Sequence, residues 1–557
     1  MSSDSTNNSP TSNLPFIALA LLFIALTIFL GYFAQRDDFL PFISGYGAFF
    51  ALYLWTCFYQ KNIPAKQLIA LGIALRVLLL FSLPNLSDDY FRFLWDGRLT
   101  LAGYHPFLHT PQYFIDQQLF PTGISTELFS QLNSPQYYTV YPPVCQVVFA
   151  AAAWVSPTNN WIGVLVMKLF LLAAELGTIC GLRNFECGVR NLECGVRILE
   201  CGVRNTDSGV RNLECGVRNT DSGVRNFECG VRNTERLARH PSESEPGDAF
   251  RNPHSALRTP KSAFRNPHSA LRTPKSALRT PKSALRTPKS ALLYALNPLV
   301  ILEIVGNCHF EGIMIYFLVA GMAAIWKGDV VKGGVFWALA TATKMLPLLF
   351  LPIVWRWLGW RKGLKFNVVF AGATLLLFSP LIPVLPNIAQ SLNLYFQKFQ
   401  FNASVYYLVR EVGYSIKNWD IGEYSGPWMG LAAMLGILGL ALWVGREKLD
   451  SEARLAVAML FAVMLYLSFA AVVQPWYVCV PFAISLFTRW RFAVVWTGLV
   501  ALSYSHYDGG GREEHFWLIG VEYVGVFVVF VSGLAGFLGF SRISGEGCIR
   551  ISRIFRI

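Results

Sequence analysis

The chain has 557 residues, 54% of them hydrophobic and 15% charged, with a formal charge of +13. Its apolar residues arrive in blocks of about twenty rather than at amphipathic spacing, which excludes a soluble globular domain and predicts an all-α polytopic integral membrane protein. The positive charge gives no case for a nucleic-acid partner: residues 183–292 hold 20 Lys and Arg against 11 Asp and Glu, +9 of the total, and the remaining body is only mildly basic.

The first block, residues 14–33, is too long for the apolar part of a signal peptide and lacks a small-residue cleavage site after it, so it reads as a retained span. Further blocks cover 40–59, 67–84, 161–182, 292–305, 309–326, 366–384, 428–445, 454–473, 476–489, 492–507 and 516–539, about twelve spans in all. Loops at 61–66, 327–332, 356–365, 446–454 and 489–491, with the tail 541–557, carry Lys and Arg and belong in the cytoplasm by the positive-inside rule. Parity then holds only if two shorter blocks each enter and leave on one side. Residues 141–156 are expected to form an outer re-entrant or interfacial helix, and 333–355 a hairpin dipping in from the cytoplasm. Loops 85–160, 306–309, 385–427, 474–476 and 507–515 fall on the outer face. The expected organisation is an N-terminal membrane region (residues 1–182), an insert (183–292) and a C-terminal membrane region (293–557).

The insert breaks every pattern around it. From Asn184 a heptapeptide repeats ("NFECGVR NLECGVR ILECGVR NTDSGVR"), and from Arg251 a second array follows ("RNPHSAL RTPKSAF RNPHSAL RTPKSAL"). Gly188 and its equivalents, with no apolar seam, argue against a coiled coil. Cysteines 187, 194, 201, 215 and 229 merely follow the period, and no CxxC pair exists. Codons GAG-TGC-GGA-GTG-CGG-ATT spell ECGVRI, residues 193–198, and their reverse complement spells NPHSAL, residues 252–257. The two arrays therefore read as opposite strands of one inverted DNA repeat inserted in frame, encoding a disordered cytoplasmic loop. A gene sequence without inverted complementarity there would refute this. Outside the insert, Cys57, Cys145, Cys180, Cys308, Cys479 and Cys548 read as small buried hydrophobes with no disulfide framework.

Chemistry concentrates where charge meets apolar runs. "NLSDDYFRFLWDGR" (85–98) follows a span at once. On a helix, Asp89, Arg92 and Asp96 share one face, with Arg92 and Asp96 spaced as an i,i+4 pair. A salt-bridged helix cap is the plain alternative. Adjacent acids at the hydrocarbon edge are costly unless used, and like charges side by side raise one pKa, which suits a proton acceptor. "YYTVYPPVCQ" (137–146) brings Tyr137, Tyr138 and Tyr141 ahead of a Pro-Pro helix start; sugar stacking and an interfacial aromatic belt both fit. "NPLVILEIVGNCHFEG" (297–312) sets Glu303, Asn307, His309 and Glu311 at a boundary, as hydrogen-bonding groups rather than an evident metal site. Lys344 lies in "TATKMLPLLFLP" (341–352), where an anionic partner such as a lipid phosphate competes with simple snorkelling. Lys168 and Glu175, seven apart in one span, are expected to neutralise each other. Lys398 and Arg410, interleaved with six aromatic rings in 395–411, suit a lipid-phosphate headgroup. Gln474, Trp476 and Tyr477 in "VVQPWYV" and His506 and Asp508 in "SHYDGGGREEH" return to the same side; those glycines lack the strand-to-helix context of a nucleotide loop.

Together, the DD-Y-RFLWDGR stretch, the YPP segment, the NPL…GN…E stretch, the TK-x-x-P segment and the PWY resemble polytopic glycosyltransferases of the GT-C class. Within that class they are most similar to the polyprenyl-phosphate-mannose-dependent mannosyltransferases. The resemblance covers most of the chain except the insert. It implies a GT-C fold with about twelve spans plus two short re-entrant or interfacial helices, in a bacterial plasma membrane with the active site on the outer face. It further implies inverting transfer of a hexose, mannose above all, from a polyprenyl-phosphate sugar to the hydroxyl of a glycan or glycolipid acceptor. Asp89 takes the base role, with Asp88 as neighbour or substitute. Lys344 accompanies the carrier phosphate, and Arg92, Arg410, Lys398, His309, Glu311, Asn307, Gln474, Trp476 and Tyr141 are candidates for holding the donor. The donor brings its own phosphate, so no cofactor or metal is expected. Relatives of this pattern carry His where this chain has Gln474, which does not titrate near neutrality and so puts acid-base work there in doubt. A transporter, flippase or polymerase is the alternative, but no internal repeat relates the spans and the charges crowd one face.

Overall fold

The computed structural model describes residues 14–204, 290–444, 451–510 and 513–537, the side chains of 186–204, 394–398, 423, 451–452 and 535–537 excepted. The chain divides into two units, Met1–Asn191 with Leu285–Ile557, and Leu192–Ala284. Of the second, only the continuation of one helix to Arg204 is described, so most of the repeat insert lies outside the described residues, as does Cys548. The first unit carries the apolar helices and all the candidate site residues.

Its described elements are helical, with one isolated bridge between Phe401 and Val472. In chain order they begin with α1 (Leu14–Ile28, prolonged by a π-turn over Phe29–Phe33), α2 (Phe39–Phe58), α3 (Ala65–Leu79), α4 (Asp89–Leu101), α5 (Pro111–Asp116), α6 (Thr126–Ser130), α7 (Pro143–Val155) and α8 (Asn160–Arg204). After the insert come α9 (Ser290–Leu296), α10 (Pro298–Val300, prolonged by a π-turn over Ile301–Gly306), α11 (Glu311–Trp326), α12 (Val330–Thr341), α13 (Leu351–Leu358) and α14 (Trp360–Phe378). The chain continues through α15 (Leu385–Lys398), α16 (Val405–Lys417), α17 (Gly422–Val444), α18 (Ser451–Phe469), α19 (Cys479–Ser485), α20 (Phe492–Leu499) and α21 (Phe516–Phe537).

Six helices among the described residues are long and apolar enough to cross a membrane: Leu14–Phe33, Phe39–Phe58, Asn160–Phe185, Trp360–Asn393, Tyr424–Val444 and Phe516–Leu534. A seventh arises if Pro298–Gly306 and Glu311–Trp326, bent by 114° at the break between them, are one span. Full-length helices thus do not reach the expected twelve, because several apolar blocks fold as shorter helices. Residues 67–84 give only the 15-residue α3, and 476–489 give a single 3-10 turn over Pro475–Val478 followed by α19. The block 333–355 is interrupted at Thr343–Met345, between α12 and a 3-10 turn at Leu346–Phe350. Cys57, Cys145, Cys308 and Cys479 are buried, whereas Cys180 is exposed.

Two intramembrane charges have partners other than those expected. Lys168 and Glu175 do not pair. Lys168 Nζ donates to Leu79 O, Ser82 O and Ser82 Oγ at 2.9, 2.7 and 3.0 Å, gathering acceptors in the turn at the C-terminal end of α3. Glu175 instead bonds Arg76 at 2.9 Å and Tyr294 Oη at 2.6 Å. Seven residues span about 10 Å of helix, so each side chain is satisfied by what packs against its own turn.

Candidate active site

The turn after α3 is fastened from several sides, and this fixes the acids. Asn85 Nδ2 donates to Leu30 O at 2.9 Å and to Ala34 O at the end of the first span. The Leu86 N–H donates to Asn307 Oδ1 at 3.2 Å, so the break before α11 grips the segment that carries Asp88 and Asp89. Asp89 then opens α4, where the helix dipole favours a negative charge.

The buried face of α4 sets its direction. Phe93 packs against Phe149, Tyr141 and Phe310 at centroid distances of 4.7, 4.8 and 5.5 Å, joining α4, α7 and the break before α11. Gly97 allows the close crossing, since a Cβ there would lie 2.2 Å from Phe149 O. In the last turn of α4, Arg98 donates to Gly123 O at 3.0 Å and to Asn160 Oδ1 at 2.7 Å, and burial pulls its guanidinium down to about 10. A polar cavity of about 500 Å³ lined by Arg98, Ser125, Gln131 and Asn160 lies at that end, apart from the two acids.

The adjacent aspartates have different surroundings. Asp88 accepts from Arg36 at 2.5 Å, and Arg36 also lies 4.6 Å over the Tyr507 ring. Burial pulls the Arg36 guanidinium down, but the charge and hydrogen bond of Asp88, with Tyr507 and Tyr504, together outweigh this and raise it. Asp89 meets no cation at salt-bridge distance among the described residues. Its Oδ1 accepts from Asn133 Nδ2 at 2.9 Å, it is half-buried, and it interacts electrostatically with Lys344.

Lys344 stands in the break after α12, its Nζ 3.1 Å from Glu311 Oε1 and 5.6 Å from the Tyr141 ring centre. Its side chain keeps 26% exposure, while Glu311 is buried with Oε2 unpartnered. Beside them His309 Nδ1 lies 3.0 Å from Glu303 O and 3.1 Å from Glu303 Oε2, and the ring stacks on Trp476 at 3.7 Å. Its Nε2 is buried and unpartnered. Glu303 also accepts from Tyr504 Oη at 2.7 Å and from Asn307 Nδ2 at 3.4 Å.

The remaining candidates take varied places. Arg92 is turned to Asp96 at 2.9 Å and to the carbonyls of Ser134 and Tyr137, with only Nη2 unpartnered. Arg410 is held by Gln400 at 2.5 Å and Glu411 at 2.9 Å and stacks over Tyr407 and Phe516. Gln474 caps the Pro475–Val478 turn through its backbone and leaves Oε1 without a partner. The side chain of Lys398 lies outside the described residues. Tyr137 meets Phe399 edge-on at 6.2 Å, linking the loop after α6 to the one after α15. Sequence reasoning passed over Arg36 and Asn133; the signal available for Arg36 was a single cation beside the two acids of "QRDDF", close to the end of a span.

Residues 281–359 match a protein family described as alpha-(1->6)-mannopyranosyltransferase, N-terminal domain. The chain resembles the polyprenyl-phosphate-mannose type of mannosyltransferase. The match supports a glycosyltransferase that transfers mannose, and the GT-C class is consistent with it. Asn307, His309, Glu311 and Lys344 fall inside the matched segment, whereas Asp88 and Asp89 precede it. No curated protein matches the chain.

Proposed function

We propose that this chain is a GT-C membrane glycosyltransferase that moves mannose, with inversion, from a polyprenyl-phosphate mannose to an acceptor hydroxyl on the outer face of a bacterial plasma membrane. The observation that carries the reading is that Asp89, a carboxylate with no cation at salt-bridge distance among the described residues, interacts electrostatically with Lys344, an ammonium that is partly exposed and only singly bridged.

In the proposed step the acceptor O–H gives its proton to Asp89 Oδ2 as its oxygen attacks the anomeric carbon. The C1–O bond to the phosphate breaks, and the electron pair leaves with the polyprenyl phosphate beside Lys344. A positioned base and a preorganised cation are the two contributions that such a displacement needs. Arg36 neutralises Asp88, so the negative charge beside the acceptor belongs to Asp89. With Nδ1 donating to Glu303 and the ring stacked on Trp476, His309 Nε2 is left to accept a hydrogen bond from a hydroxyl of the donor sugar. Transfer with inversion to an α-(1→6) product needs a β-linked donor and a primary 6-hydroxyl on the acceptor sugar. The donor arrives with its phosphate as a built-in leaving group, so the proposal calls on no cofactor.

The test uses the full chain in liposomes with radiolabelled polyprenyl-phosphate mannose and a mannoside acceptor. Label appearing in an α-(1→6)-linked product supports the proposal. Uptake or flipping of the donor without transfer would favour a transporter and overturn it.

A further inference from the structure

Asn402, in the loop between α15 and α16, has φ of +48°, a left-handed conformation uncommon outside glycine. Three groups of the C-terminal segment hold it there. Its N–H donates to Glu514 Oε1 at 3.3 Å, its carbonyl accepts from Tyr523 Oη at 2.7 Å, and its Nδ2 donates to Glu522 Oε1 and Oε2 at 3.3 and 3.1 Å. Glu522 is fully buried in α21 and also accepts from Trp496 Nε1 at 2.7 Å. Among the described residues it makes no ion pair. A carboxyl group inside a membrane helix is costly unless the fold uses it, and this one receives only an amide and an indole.

The neighbour of Asn402 carries the contact onward. Phe401 bridges to Val472, its N–H donating to Ala471 O at 3.0 Å and its carbonyl accepting from Val473 N at 2.9 Å. Val473 leads directly into Gln474, Pro475 and Trp476, and Trp476 is the ring stacked on His309. The buried carboxyl of α21 is therefore connected to the His309 wall by one side-chain amide, one backbone bridge and a short run of chain.

We infer that Glu522 and Asn402 form a positioning pair: together they hold the 399–404 loop against 471–473 and so set Trp476 on His309, fixing the wall that receives the lipid-phosphate donor. The inference rests on reading that wall as belonging to a mannosyl-transfer site. Neither residue touches the reacting atoms.

An exchange of polarity tests it in the full-length protein. Glu522→Gln replaces one of the two acceptor oxygens facing Asn402 Nδ2 by an NH₂ donor, and Asn402→Asp replaces the donor facing Glu522 by a carboxyl oxygen. The double variant restores a carboxylate–amide pair, with the introduced amide oxygen accepting from Trp496 and its NH₂ donating to the carboxylate introduced at position 402. Each single change is expected to raise the donor KM about ten-fold at nearly constant kcat, with the double variant returning to within about three-fold of wild type. Amide exchange at Phe401 and Val473, which needs no activity, should quicken in both single variants and recover in the double. Should Glu522→Gln fail to accumulate, Glu522→Asp, which keeps the carboxyl group but shortens the reach, takes its place, with the same rise in KM and quicker exchange expected. A double variant no better than the singles, or unchanged exchange at Phe401 and Val473 alongside a lower unfolding temperature, would overturn the inference. If wild type transfers no mannose, the functional reading fails instead, and the exchange data still judge the pair.

Discussion

The Arg76–Glu175 and Lys344–Glu311 pairs both hold charge among apolar helices, at 2.9 and 3.1 Å, but they are finished differently. Arg76 also donates to Gly72 O, Ala295 O and Tyr294 O, and Glu175 also accepts from Tyr294 Oη; both side chains are fully buried. Every strong donor and acceptor there has a partner, which is what a scaffold needs where the dielectric is low. The Lys344 pair keeps partial exposure, an unpartnered Glu311 Oε2 and one aromatic neighbour. Spare hydrogen-bonding capacity, more than charge itself, separates the candidate site from the scaffold.

Removing one member of the saturated pair should give the largest change in stability. Arg76→Met leaves Glu175 buried without its cation and should cost about 3–5 kcal/mol, read from thermal unfolding in detergent, with much of it recovered in Arg76→Met/Glu175→Leu. Lys344→Met should disturb folding less, because Glu311 sits in the first turn of α11 where the helix dipole favours its charge. It should nevertheless lower mannosyl transfer about 10²–10³-fold. Equal unfolding temperatures for Arg76→Met and Lys344→Met would erase the distinction between scaffold and site.

Arg36→Leu probes the same distinction in a half-exposed setting. The Arg36–Asp88 pair is 29% and 41% exposed, so its loss should hardly move stability. Transfer should fall about ten-fold, because Asp88 loses the guanidinium that fastens the turn leading into Asp89. The smallest effect concerns Glu514, whose carboxyl burial raises above its ordinary value, partly offset by the N–H of Asn402. A raised carboxyl contributes stability below the ordinary carboxylate range and loses it as pH climbs through the elevated value. Unfolding temperatures of Glu514→Gln should therefore decline less than wild type between acid and neutral pH.

The limits of legibility in the sequence follow from the range of the interactions involved. Residues 14–33 gave the span Leu14–Phe33 directly, because twenty consecutive apolar residues suffice to define a helix. The loop expected at 306–309, with Asn307 and His309, marked the break before α11 for the same local reason. Blocks 67–84 and 476–489 read as full spans but fold as short helices, since composition cannot say where tertiary packing shortens a helix. Lys168 and Glu175 were misjudged because they share a helix, while their real partners lie 86 to 119 residues away. Arg36 to Asp88 and Asn402 to Glu522 are likewise contacts that only the fold creates.

The most direct measurement is the transfer rate of Asp89→Asn beside Asp88→Asn, at matched protein abundance and unfolding temperature. If Asp89 is the base, Asp89→Asn loses about 10²–10⁴-fold, while Asp88→Asn keeps at least about a tenth of the wild-type rate. Wild-type transfer by Asp89→Asn, or inactivity confined to Asp88→Asn, would contradict that assignment.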